Sequence, residues 1–113
     1  MEHEMRLNPE PFCMIKTGEK TIELRLYDEK RRRISVGDTI VFTETETGER
    51  LRVSVTSVDV FPTFAELYRA LPLSACGYTE TDKKTASPDD MLAYYSKERQ
   101  LQYGVVGIGV ALA

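Results

Sequence analysis

The stretch from residue 51 to residue 60 constrains the fold more than any other. Leu51, Val53 and Val55 alternate with polar residues at the period of a β-strand, and Val58 and Val60 then continue the pattern out of phase, the slip falling at Thr56 and Ser57. A slip of one residue turns an apolar set onto the opposite face, so a β-bulge is predicted there. A bulge bends its strand and favours closure of the sheet.

Shorter segments supply partners for that strand. Residues 21–27 put Ile22, Leu24 and Leu26 on one face and Thr21, Glu23, Arg25 and Tyr27 on the other. The turn Val36-Gly37-Asp38 leads into residues 39–43, where Ile40 and Phe42 share a face, and residues 45–48 read as a hairpin connection. Residues 105–112 form a last strand, in which Gly107 and Gly109 leave room for another backbone or a ligand. A first short strand is expected near Met5 to Leu7. Asn8 and Pro9 then open a helix that turns Phe12 and Ile15 inward, directs Lys16 elsewhere and stops at Gly18.

Two further helical segments are expected. Thr63 and Glu66 form a capping box ahead of Phe64, Leu67, Tyr68 and Leu71, and Pro72 ends that segment. Ser87 and Pro88 open a second, carrying Met91, Leu92, Tyr94 and Tyr95 and reaching about Arg99. Residues 73–86, between them, read as an ordered loop with the character of a lid. Short bulged strands with a few short helices indicate an α+β fold built on a small mixed or antiparallel β-barrel. The 113 residues suffice for one domain spanning 1–113.

Charge and cysteine usage narrow the function. A net charge of −3 excludes a protein that coats nucleic acid by electrostatics alone, so any RNA contact is local. Residues 30–33, one lysine and three arginines, are either a basic contact or a solvated loop. Cys13 and Cys76 stand in no metal-ligand spacing and are expected to be buried, reduced thiols. His3, the only histidine, is expected at the surface. No metal or cofactor is expected. No apolar run approaches the ~20 residues of a membrane span and no signal segment is evident, so the expected location is cytoplasmic, away from membranes.

The chemistry concentrates between Gly18 and Arg25. Glu23 and Arg25 stand two residues apart on one strand face, about 7 Å from each other, so one ligand can touch both. Arg25 offers planar donors for phosphate or carboxylate, Lys20 a compact positive charge, and Glu23 an acceptor. A solvent-facing ion pair between Glu23 and Arg25 is the alternative reading. Arg6, Lys16 and Tyr27 are candidates to extend the site, Tyr27 as a ring on which a base can stack.

The pattern Gly18-x-Lys20-x-x-Glu23-x-Arg25 resembles the G-x-K-x-x-E-x-R signature of the ASCH domain family, with a helix before it and the Gly37-Asp38 turn after it. The resemblance implies a PUA-like barrel whose cleft, between barrel and first helix, takes RNA or a nucleotide-like molecule on Lys20, Glu23 and Arg25. It also leaves two catalytic readings open. Some similar small proteins are amidohydrolases on acetylated cytidine, using a threonine, a lysine and a downstream glutamate. Lys20 matches their lysine, but Glu23 occupies the threonine's place, leaving Thr21 as the nearby hydroxyl and Glu66 or Glu80 as the carboxylate. Other members suggest a ribonuclease, in which Glu23 takes a proton from the ribose 2′-hydroxyl and Lys20 and Arg25 stabilise the developing charge.

Overall fold

The computed structural model describes residues 1–79 and 82–113. Five strands, β1 (Glu2–Leu7), β2 (Ile22–Leu26), β3 (Thr39–Glu44), β4 (Arg50–Phe61) and β5 (Val105–Leu112), form one sheet in the order β1-β3-β4-β5-β2. β1 runs parallel to β3, and the other neighbours are antiparallel. The sheet curls into a half-barrel with several short helices around it, a small α+β fold of PUA-like type. The register of β4 against β5 shifts between Val55 and Ser57, at the slip in the sequence pattern.

Among the described residues three α-helices join the sheet: α1 (Pro9–Thr17), α2 (Phe64–Ala70) and α3 (Lys97–Tyr103). The order of the sheet makes β1 and β2 its two edges, although they are successive strands. α1 connects them and buries Phe12 and Ile15 against the barrel core, beside Met5, Phe42, Val53 and Ile108. Gly18 ends this helix in the left-handed conformation, φ 85°, donating its N–H to the Ile15 carbonyl. Asn8 begins it through its backbone alone: its carbonyl accepts from Phe12 N–H and its side chain makes no cap.

A second core lies on the other face of β2 and β5. Leu24, Leu26 and Val105 pack there with Phe64 and Leu67 of α2, and with Cys76 and Met91. β5 is therefore buried on both faces over its first six residues. Its glycines serve this packing, since a Cβ on Gly107 would stand 2.6 Å from Leu71 Cδ1 and one on Gly109 2.1 Å from Ser57 Oγ. The space they leave is filled by the chain's own side chains.

Several expectations are corrected. The segment after Ser87 is not one helix: a 3₁₀ turn, Pro88–Ala93, is followed by a break and then α3. Ser96 opens α3 with a new cap, accepting from Arg99 N–H, while Tyr95 turns inward to stack on Phe64 at 6.2 Å between ring centres. His3 is buried, because β1 begins at Glu2 and its odd positions face inward; His3 Nε2 lies 2.8 Å from Asp38 Oδ2. Cys13 is exposed on the outer side of α1, whereas Cys76 is buried, and both thiols are free. No helix among the described residues is long and apolar enough to cross a membrane.

Candidate functional site

β2 pairs with β5 so that Glu23 stands opposite Ile108 and Arg25 opposite Val106. Opposed residues of an antiparallel pair point to the same side of the sheet, and Val106 and Ile108 point into the barrel core. The polar face of β2 is thus an inner face at the open seam of the half-barrel, and Glu23 is only 3% exposed.

Buried there, the carboxylate is neutralised on both oxygens. Lys20 Nζ lies 2.9 Å from Oε1, and Arg25 donates to Oε2 through Nε at 2.8 Å. Burial alone would raise the pKa of Glu23, but Lys20 and Arg25 outweigh it and hold the carboxyl below its ordinary value. Burial acts to lower the pKa of Arg25, and Glu23 together with the neighbouring Tyr95 phenol reverses that effect. Arg25 also donates to the Arg6 carbonyl at 2.8 Å, lacing β2 to β1 across the seam.

This triad lines a cleft of about 450 Å³, within the usual span for small-molecule sites. One wall comes from β1, α1 and β2 through Arg6, Met14, Lys20, Glu23 and Arg25. The other comes from α2, residues 76–78 and residues 90–95, through Tyr68, Tyr78, Asp90, Tyr94 and Tyr95. The second wall is tied to the first, because the Ala75 carbonyl accepts from both Thr21 and Ile22 N–H, at 2.8 and 3.0 Å. Part of the segment expected as a lid, Cys76 to Tyr78, lines the cleft, next to this tie at Ala75.

The structure brings Arg6, Lys20, Glu23 and Arg25 together in the cleft and places the other candidates elsewhere. Lys16 is exposed and pairs with Glu49 at 2.5 Å. Tyr27 packs against the barrel core beneath the Arg32 guanidinium, 4.7 Å from its ring centre. Thr21 is exposed and is not part of the cleft lining. Glu66 is exposed in the first turn of α2, and Glu80 lies outside the described residues. Of the basic run, Arg31 pairs with Asp28 at 2.9 Å and Arg32 donates to the Tyr27 carbonyl, so both have structural partners. No group of metal-ligating side chains occurs among the described residues.

Sequence reasoning missed the tyrosines of the second wall. Tyr68 and Tyr95 stand among the apolar residues of capped segments, where nothing in the spacing sets them apart from their neighbours. Their signal was the hydroxyl, since a buried tyrosine in place of phenylalanine implies a polar partner.

Comparison with known proteins adds the lineage. A sequence model of the ASCH domain matches residues 5–112. The crystal structure of the hypothetical protein PH0355 superposes with a TM-score of 0.84 at 35% identity, each chain covered over 100%. Protein PF0455 from Pyrococcus furiosus gives a TM-score of 0.72 at 36% identity, covering 99% of this chain and 97% of its own. The ASCH domain from Lactobacillus crispatus shares the fold at 16% identity, with a TM-score of 0.61 over 98% of this chain and 79% of its own. No curated protein matches.

Proposed function

Since this chain belongs to the ASCH domain family, we propose that its cleft binds single-stranded RNA or a nucleotide, through Lys20 and Arg25 held in place by Glu23. The observation that carries this reading is the buried triad at the wall of an open cleft. Two cations around one carboxylate leave a local positive charge on this wall, in a largely buried place where electrostatic attraction to a phosphate is strengthened. Lys20 has three ammonium donors and Glu23 takes one, so donors remain for a ligand. On the other wall Tyr94 exposes 66% of its surface and supplies a ring for stacking, the part the sequence suggested for Tyr27.

Two observations favour recognition over hydrolysis. Glu23 accepts from two cations and its pKa lies below the ordinary value, which makes it a weak proton acceptor for a ribose hydroxyl. Thr21, the hydroxyl residue between the motif lysine and β2, stands outside the cleft lining with its N–H bonded to Ala75. The reading is tested by calorimetric titration of wild type and Lys20→Met with 5′-nucleotides and short single-stranded RNAs. Removal of one charge-assisted hydrogen bond, worth about 1.5–3 kcal/mol, is expected to weaken binding about tenfold or more. Equal affinities for the two proteins would refute it.

A further inference from the structure

Three side chains of the second wall form a hydrogen-bonded chain whose direction follows from counting hydrogens. The Tyr68 and Tyr78 hydroxyl oxygens are 2.6 Å apart, and Tyr78 Oη lies 2.8 Å from Asp90 Oδ2, which also accepts from Ser87 N–H. A carboxylate only accepts, so the single hydroxyl hydrogen of Tyr78 goes to Asp90. The hydrogen between the two tyrosines is therefore that of Tyr68. Burial raises the pKa of both phenols, and for Tyr78 the bonds to Tyr68 and Asp90 raise it further, so both hydrogens stay in place at neutral pH.

Every donor of the chain is thus spent internally. What Tyr68 and Asp90 offer the cleft is acceptors: the Tyr68 oxygen and Asp90 Oδ1, for which no partner occurs among the described residues. The triad on the other wall offers donors. A ligand that fills the cleft must be polarised the same way, with an anionic or carbonyl group toward Lys20 and Arg25 and an N–H group toward Tyr68 and Asp90.

We propose that the Tyr68–Tyr78–Asp90 chain is a base-reading subsite, which selects nucleotides whose base carries an exocyclic amino group over those that carry a carbonyl oxygen there. The two hydrogens of an amino group satisfy two acceptors. A carbonyl oxygen in the same place sets acceptor against acceptor and offers neither Tyr68 nor Asp90 a hydrogen, which is how polar sites reject near-isosteres. This inference rests on the nucleotide reading of the cleft and adds the chemistry of the base to it.

The test is calorimetry of AMP and CMP against IMP and UMP, with wild type, Asp90→Asn and Tyr68→Phe. Wild type is expected to bind the amino-bearing pair about tenfold or more tightly. Asp90→Asn keeps an acceptor for Tyr78 while turning an amide N–H₂ toward the cleft, and is expected to bring the four nucleotides to within about threefold by weakening AMP and CMP and favouring IMP and UMP. Tyr68→Phe keeps the ring, removes one acceptor, and is expected to reduce the preference even if the Asp90 variant does not fold. Equal binding of all four by wild type overturns the subsite while leaving the nucleotide reading intact, as does a preference that survives both substitutions. Binding of none of the four overturns both.

Discussion

Glu23 holds two cations in a place from which water is largely excluded, and its removal is correspondingly costly. Glu23→Gln leaves Lys20 and Arg25 buried without a counter-charge, a change that typically costs about 3–5 kcal/mol. Denaturant titration at neutral pH is expected to show a loss of that order, and a loss below about 1 kcal/mol would mean that the triad is hydrated in solution. Acid behaviour follows from the same residue. Its folded-state pKa lies below the ordinary 4.5, so the stability it contributes is complete above about pH 4.5 and declines as pH falls through the folded value. Asp38, lowered from 3.8 to about 2, first by His3 and then by Ser35 N–H, adds a second loss at lower pH. Stability measured from pH 7 to pH 3 is expected to fall more steeply for wild type than for Glu23→Gln, and parallel curves would count against the ion triad. The residue types and spacing of the site were legible in the sequence; its burial was not. A strand face with two charges reads as a solvent face until the pairing of β2 with β5 shows it pointing into a barrel.

At the scale of elements, the half-barrel depends on the bulge in β4 and on the bareness of β5 opposite it. Gly109→Ala would press a methyl against Ser57 Oγ at 2.1 Å and Thr56 Oγ1 at 2.7 Å, inside the bulge itself. Overpacking of this kind costs about 1–3 kcal/mol. Gly107→Ala meets the end of the flexible Leu71 side chain first and is expected to cost less, so equal losses in denaturation midpoint would contradict the packing described for β5. The wall formed by residues 73–79 has its own signature. If Ala75 is bonded to Thr21 and Ile22 as seen, their amides should exchange with solvent as slowly as those of the sheet. Fast exchange at both would make the segment a moving lid after all. The bulge was legible because its signal is local, a change of phase within ten residues. The division of the segment after Ser87 was hidden because its cause is tertiary: Tyr95 leaves the helical path to meet Phe64, which lies 31 positions earlier in the chain.

For the whole molecule, the sheet order explains why one cleft gathers the motif. β1 and β2 are successive in sequence yet lie at opposite edges, so α1 and the Gly18-to-Arg25 segment must cross the seam, and the residues on that crossing face whatever fills it. The barrel class could be read from strand lengths and the bulge, whereas strand order required pairings between distant segments. With a net charge of −3, the protein has few cations to spare for a phosphate backbone. If Lys20 and Arg25 are the phosphate contacts, the logarithm of RNA affinity should fall with the logarithm of salt at a slope of roughly −1.4, two single-strand contacts at about 0.7 each. A slope steeper than about −3 would bring the basic run at residues 30–33 into the interface. The most direct test is a backbone-amide NMR titration of the wild type and Lys20→Met with AMP. The expected result is a set of shifts confined to residues 20–25, 76–78 and 90–95, strongly reduced in Lys20→Met, which leaves Glu23 paired with Arg25. Shifts centred on residues 30–33, or none anywhere, would contradict the assignment of the cleft as the binding site.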